Sequence, residues 1–273
     1  MLKLAISGAG GRMGQRLLAL SDQDADFALD QAIEWSGFPL LGSYINAGAP
    51  LAPRAAGVKW TAELAAGADV LLDFSSPENA VKNAGLAVSF GTAMVLGTTG
   101  LDKAQERALR AAAADIPLLQ APNFSLGVNL LFRLAGEAAR VLGDGYNVEI
   151  VEAHHNRKTD APSGTALGIA RAVAGPLKRD LRKDLAYGRS GKPGRRPARE
   201  IGVHSLRMGA LAGDHAVYFA SDHECLSISH HAESRDVFAA GALRAAKWLA
   251  GREPGFYSLE DMLFGPASPA AET

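Results

Sequence analysis

Residues 2–14 read LKLAISGAGGRMG. The apolar run Leu2–Ser7 stops directly at glycine, too short for a helix and bounded as a buried strand is. A helical pattern follows over 12–20. Between them the glycines fall at Gly8, Gly11 and Gly14, a G-x-x-G-x-x-G variant of the G-x-G-x-x-G fingerprint. The first glycine allows a tight turn out of the strand, and the second allows a pyrophosphate to approach the backbone. The N–H groups at the helix start then hold the phosphates. Residues 28–34 read as a second strand, ending at Glu34, where an acid can bind the ribose hydroxyls of adenosine. The same spacing also suits a plain structural turn in another α/β protein, but strand, helix and acid together point to a nicotinamide dinucleotide. A 2′-phosphate calls for a cation after the acid. Trp35 supplies none, and Arg12 in the glycine loop is the nearest candidate. The expected cofactor is therefore NADH in preference to NADPH, or either of them.

Further along, strand-like runs over 69–75, 93–98 and 117–121 alternate with helical patterns over 77–90 and 102–114. Continuous apolar strands between helices predict a parallel sheet covered on both faces. Asp73-Phe74-Ser75, Gly97-Thr98-Thr99-Gly100 and Ala121-Pro122-Asn123-Phe124 all fall at carboxyl ends of these strands, where open parallel sheets bind ligands. Past residue 125 the pattern changes. A long apolar helix over 126–142 precedes a strand over 147–155 and a helix over 163–173 that Ser163 caps. Three strand-like runs, 200–208, 215–221 and 225–231, suggest an antiparallel or mixed sheet. A helix over 236–250 follows, and the tail 266–273 reads as disordered. The expected fold is α/β: a Rossmann-like parallel-sheet cofactor domain plus an α+β domain with a mixed sheet.

The densest functional signal is residues 152–167, EAHHNRKTDAPSGTAL. A strand ends at His154 and His155, Lys158 adds a cation, and Ser163-Gly164-Thr165 opens a helix. A helix N-terminus built from small residues is an anion site. The segment is therefore suited to hold a carboxylate or phosphate beside a group that titrates near neutrality. Adjacent strand residues face opposite ways, so the two histidines do not naturally share a metal, and there is no H-x-x-x-H or cysteine pair. His204, His215 and His223 read as structural or surface groups; His230 or His231 could reach a site. Arg235 reads as a surface or paired group, or as a brace for the substrate site.

The 273 residues fit two modest domains. A net charge of −1 gives no global bias toward nucleic acid or anionic membrane. Cys225 is the single cysteine, which excludes an intramolecular disulfide and a cysteine metal cage. No signal peptide or membrane helix is expected, and the setting expected is cytoplasmic. Residues 178–199 carry nine Lys/Arg against two Asp. They read as a solvated loop, a lid or a subunit contact rather than a nucleic-acid site.

Taken in order, GAGGRMG (8–14), DFSSPE (73–78), GTTG (97–100), APNFSLGVN (121–129), EAHHNRKTDAPSGTAL (152–167) and SHHAESR (229–235) resemble the 4-hydroxy-tetrahydrodipicolinate reductase (dihydrodipicolinate reductase) family over nearly the whole chain. The resemblance implies a dinucleotide domain over 1–125 plus 235–273. It implies a substrate domain over 126–234 whose mixed sheet forms a homotetramer. It implies reduction of a cyclic imine dicarboxylate in lysine and diaminopimelate synthesis, with no metal, nucleic acid or membrane involved. By position, His154 would be the general acid and Lys158 its electrostatic or acid partner. His155, Lys158, Ser163, Gly164 and Thr165 would bind substrate. Gly8, Ala9, Gly10, Gly11, Arg12, Met13, Glu34, Phe74, Gly97, Thr98, Thr99, Ala121, Pro122, Asn123 and Phe124 would hold the dinucleotide. Trp35 departs from the pattern, since many members carry a basic residue there. The rival readings are a homoserine- or semialdehyde-type dehydrogenase and a non-enzymatic NAD(H)-sensing or nucleic-acid-binding protein. The semialdehyde type needs a nucleophilic cysteine, and Cys225 lies inside a strand-like run.

Overall fold

The computed structural model describes residues 1–45 and 57–265, so the expectation for 266–273 lies outside the described residues. The chain divides into two compact units. One holds the described parts of Met1–Ser125 and Arg235–Thr273, the other Leu126–Ser234. Among the described residues no helix is long and apolar enough to cross a membrane.

The first unit begins with β1 (Leu2–Ser7), α1 (Arg12–Gln23), β2 (Phe27–Ile33) and the two-residue β3 (Trp60–Thr61). It continues through β4 (Val70–Asp73), α2 (Pro77–Phe90), β5 (Ala93–Leu96), α3 (Lys103–Ala112) and β6 (Pro117–Gln120). Helix α2 is sharply bounded because its local chemistry is complete. The Ser76 side chain accepts from Asn79 N–H, Pro77 sits where no N–H is needed, and Gly91 ends it at φ +65°.

The second unit contains α4 (Leu126–Leu142), β7 (Asn147–His154), α5 (Gly164–Ala174), β8 (Leu185–Tyr187), β9 (Ile201–Arg207), β10 (Asp214–Ala220) and β11 (Cys225–His231). The chain then returns to the first unit with α6 (Asp236–Leu249), β12 (Gly255–Ser258) and α7 (Leu259–Phe264). The first sheet is wholly parallel, in the order β12-β6-β5-β4-β1-β2-β3. Leu4, Ile6, Leu71, Leu72, Met94 and Leu96 in its central strands are fully buried, as expected for a sheet covered on both faces. Helix α6 covers part of that sheet and packs on α1.

The second sheet runs β11-β10-β7-β9-β8. It is mixed: β10 is antiparallel to β7 and β11, whereas β9 is parallel to β7 and β8. Val148, Ile150, Val203, Val217 and Phe219 of one face pack against Leu131 and Ala135 of α4 and Ile169 and Val173 of α5.

The basic stretch is mostly exposed loop, as expected, but it contains β8, and Arg179, Arg189 and Arg196 anchor it to the second unit. Arg179 is buried and bonds the Asp144 carboxylate (3.0 Å) and the Glu200 carbonyl (3.3 Å). Arg189 and Arg196 both bond Glu149, and Arg196 also reaches the carbonyls of Val148 and Glu200. Gly202 makes this cluster possible, since an added Cβ would lie 1.9 Å from Glu149 Oε2. Burial would raise the Glu149 carboxyl, but Arg189, Arg196 and His204 outweigh it and hold it at about 2.

Candidate active site

In the first unit the glycine fingerprint separates into two roles. Gly8 has φ +74°, and a Cβ there would lie 2.4 Å from the Phe74 carbonyl oxygen. At Gly14 a Cβ would lie 2.2 Å from the Gly8 carbonyl oxygen. Those two glycines are required by the packing of the turn. Gly11 is the N-cap of α1, and no side chain caps that helix start. Its first-turn N–H groups therefore suit an anion. The Glu34 carboxylate accepts from Gly10 N–H (2.7 Å) and Trp35 N–H (3.3 Å), which sets it over the glycine loop. A cleft of about 420 Å³ is lined by Gly8, Gly11, Glu34, Trp35, Phe74 and Lys82, among others. Lys82, paired with Glu63 at 2.5 Å, is a second cation that the sequence reading did not consider.

Behind this cleft lies a buried polar network. Fully buried Asp73 accepts from Ser75 Oγ (2.8 Å), Thr98 Oγ1 (2.7 Å) and Asn83 Nδ2 (2.7 Å), and Asn83 also donates to Ser7 Oγ (2.9 Å). It ties together the carboxyl ends of β1, β4 and β5. It also explains why β4 stops at Asp73, before the expected residue 75: Ser75 N–H bonds Thr98 Oγ1 (2.9 Å) instead of a neighbouring strand. Gly97 lies under the Phe74 ring, with an added Cβ only 2.2 Å from it, and that ring packs on Phe124 at 5.5 Å. The side chains of Ala9, Ala121 and Phe124 are buried, so these residues offer a dinucleotide backbone groups only. Arg12 and Thr99 are exposed.

In the second unit the mixed sheet assembles the other half of the predicted residues. Parallel β9 sets Arg207 opposite His154, and antiparallel β10 sets His215 opposite Glu152. Glu152 is fully buried. Its Oε1 accepts from Arg207 Nη2 (2.9 Å) and Ser163 N–H (3.1 Å). Its Oε2 bonds Arg207 Nη1 (2.9 Å) and His154 Nδ1 (2.6 Å). Burial would raise this carboxyl, yet Arg207, Ser205 and His154 hold it at about 2.

Ser163 caps α5, its Oγ accepting from Ala166 N–H (3.1 Å), and the same Oγ lies 3.0 Å from His215 Nε2. Burial first, then the neighbouring His154, push His215 down to about 3, so it is neutral. The Ser163 hydroxyl and Nε2 thus share one hydrogen bond between neutral groups. The His154 and His215 rings meet edge-on at 5.1 Å.

Lys158 bonds both Asp160 carboxylate oxygens at 2.8 Å. His155 N–H donates to the Leu211 carbonyl (2.9 Å). At Gly164 an added Cβ would meet nothing within 4 Å, so there is open space at the start of α5. His154, Lys158 and an open helix N-terminus thus share one end of one sheet. Together they can hold a carboxylate and present a titratable ring beside it. Glu152 and Arg207 were given no role by the sequence reading, and His215 was read as a structural or surface group. Cys225 opens β11 at an exposed position and takes no part in this cluster.

Two family models match the chain: "Dihydrodipicolinate reductase, N-terminus" over residues 2–124 and "Dihydrodipicolinate reductase, C-terminus" over 127–263. The 4-hydroxy-tetrahydrodipicolinate reductase of Alkalilimnicola ehrlichii is 46% identical over 263 residues, covering 96% of this chain and 98% of that protein. That of Pseudomonas fluorescens is 46% identical over 267 residues, covering 96% and 99%. A dipicolinate-bound dihydrodipicolinate reductase from Paenisporosarcina sp. TG-14 shares the fold, with a TM-score of 0.74 at 24% identity over 96% of this chain and 100% of that one. The chain belongs to the dihydrodipicolinate reductase family of NAD(P)H-dependent oxidoreductases.

Proposed function

We propose that this protein reduces 4-hydroxy-tetrahydrodipicolinate to tetrahydrodipicolinate in lysine and diaminopimelate synthesis, with His154 as the general acid. The observation that carries the reading is the convergence of His154, Lys158 and the open start of α5 at one sheet end. A cyclic dicarboxylate fits that charge pattern. Its carboxylates would take the backbone at Gly164 and Thr165 together with Lys158 and His155, while Ser163, its N–H held by Glu152, would shape that turn. A bound nicotinamide supplies the hydride. Reduction leaves an electron pair on the conjugated ring, and His154 delivers the proton that quenches it. Lys158, released from Asp160 by the more favourable substrate anion, balances the charge.

The cofactor residues are those of the first unit: Gly8 to Met13, Glu34, Phe74, Gly97 to Thr99 and Ala121 to Phe124. The cradle fits a dinucleotide, because the start of α1 has no side-chain cap and Glu34 stands over the loop. NADH is the preferred form. Glu34 suits ribose hydroxyls and opposes a 2′-phosphate, Trp35 brings no charge, and Lys82 is already paired with Glu63. A homotetramer is the expected assembly. By register, Val151, Leu206, Ala216 and Tyr218 lie on the sheet face opposite α4 and α5, and Leu206 and Tyr218 are exposed.

The test is loss of NADH absorbance with freshly generated substrate, NADPH being run in parallel. The expected result is substrate-dependent oxidation, faster per unit concentration with NADH. His154→Gln should lower kcat by about 10²–10⁴-fold with NADH affinity unchanged. Wild-type turnover in that variant would remove His154 from the role, and a strong NADPH preference would overturn the cofactor assignment.

A further inference from the structure

The Glu152 carboxylate is buried and bonded twice by Arg207, once by Ser163 N–H and once by His154 Nδ1, with the Ser205 side chain beside it. Burying an ion pair is a poor route to stability, since an apolar pair of similar volume often does as well or better. The geometry is aimed at His154 instead. Glu152 and His154 are two residues apart on β7 and so leave the same face of the strand. Arg207 grips both carboxylate oxygens in a fork, and is itself held by the carbonyls of Leu206 (2.6 Å) and Asp160 (2.7 Å). Glu152 beside that guanidinium stays ionised and can only accept. Nδ1 of His154 must therefore carry hydrogen, which leaves Nε2 as the nitrogen free to exchange a proton. The wall next to Nε2 is kept clear by Gly213, where an added Cβ would lie 3.0 Å away. The other charged or titratable groups around the ring are His215 on β10 with His230 opposite it on β11, and Lys158 with Asp160 in the loop after β7. His215 is neutral and engaged with Ser163, so it does not compete for Glu152.

We propose that Glu152, clamped by Arg207, is the positioning residue for His154, locking the imidazole with Nδ1–H inward so that Nε2 delivers the proton. This rests on His154 being the general acid. In that step the imidazolium Nε2–H bond breaks, and the proton joins the ring electron pair left by reduction. A neutral imidazole remains, still holding Nδ1–H against Glu152, and solvent restores the Nε2 proton. The role resembles that of the carboxylate in a Ser-His-Asp triad, which holds the tautomer and stabilises the charged ring without itself taking the proton.

Two readouts test it. Glu152→Gln keeps the shape but removes the charge. It should lower kcat about 10²-fold, the upper range for groups that orient a functional histidine, with KM for NADH within twofold of wild type. The alkaline limb of its kcat–pH profile should move to lower pH, because the imidazolium has lost its anionic neighbour; a merely structural role would leave that limb in place. The second readout uses the unmodified full-length protein, so it holds even if that variant does not fold. Nitrogen NMR of histidine-labelled protein at alkaline pH, with His154 assigned by its loss in His154→Gln, should show the hydrogen on Nδ1. An Nε2–H tautomer, or an unshifted profile in active Glu152→Gln, would overturn the proposal while leaving the general-acid reading intact. Full turnover by His154→Gln would overturn both.

Discussion

Two glycines in the middle of helices should respond to alanine with opposite signs. Gly241 is buried in α6, and a Cβ there would lie 1.8 Å from the Phe124 carbonyl oxygen, against a closest ordinary approach of 3.0 Å. The helix or the backbone at residue 124 would have to move by about 1.2 Å, the difference of those two distances. Neither moves easily. Phe124 is buried with its ring on Phe74, and α6 is packed on α1. Overpacking of this kind costs roughly 1–3 kcal/mol, here toward the upper end because the clash is with backbone. Better helix propensity returns roughly 0.5–1 kcal/mol. The net is about 1–2 kcal/mol of destabilisation, or a Tm lower by roughly 2–8 °C at this chain length.

Gly85, exposed in the middle of α2, has nothing within 4 Å of an added Cβ. Gly85→Ala should show the propensity term alone, raising Tm by roughly 1–4 °C. Thermal unfolding of both variants beside wild type, at one protein concentration, is the assay. Gly241→Ala should also weaken NADH binding, because residue 124 ends the loop assigned to the cofactor. A Gly241→Ala protein as stable as wild type would refute the steric argument, and a fall in both variants would refute the propensity argument.

Stability should fall on acidification in two stages. Glu149 and Glu152 have folded values near 2, below the usual 4.5, and His215 has one near 3, below the usual 6.5. In each case the unfolded chain binds the proton more readily, so stability is complete above the unfolded value and is lost as pH falls toward the folded one. His215 acts first, contributing a loss of about 2 kcal/mol by pH 5, and the glutamates follow below roughly 4.5. Chemical denaturation at stepped pH would show this, and a His215→Gln protein that still declined between pH 6.5 and 5 as wild type does would contradict the first stage. Gly213→Ala should lower kcat by roughly 10-fold or more with little change in NADH affinity, since its Cβ would sit 3.0 Å from His154 Nε2 and displace the ring. Unchanged turnover in that variant would place the proton path elsewhere.

Elements whose chemistry is local were legible in advance. The ranges Leu2–Ser7, Pro77–Phe90, Leu126–Leu142 and Cys225–His231 stand where the sequence placed them, because apolar run, cap and glycine stop lie within a few residues of one another. The strands β3, β8 and β12 were not foreseen. They have two to four residues, too few to show a period, and β3 and β12 gain their place only by adding to edges already formed by β2 and β6. The anchoring of the basic stretch was hidden for a related reason: Asp144, Glu149 and Glu200, which hold Arg179, Arg189 and Arg196, all lie outside it. The site divides in the same way. His154, Lys158 and Ser163 stood out because they share one short segment. Glu152 stood in that segment without a role, because its meaning depends on Arg207, brought opposite His154 only by the parallel pairing of β7 and β9. Lys82 enters the dinucleotide cleft only after α2 has crossed the sheet.

The interruption of the first unit by the second carries a consequence for synthesis. Residues 126–234 emerge from the ribosome as one uninterrupted piece and can complete the five-stranded sheet at once. The Rossmann-like half cannot. Until residues 236–258 appear it lacks the helix that covers β4, β5 and β6, and β6 stands as an open edge awaiting β12. The amino-terminal half of the nascent chain therefore waits longest with an exposed apolar face and an unpaired strand. That makes it the segment a holding chaperone would protect, and the place where a stalled or truncated chain would begin to aggregate.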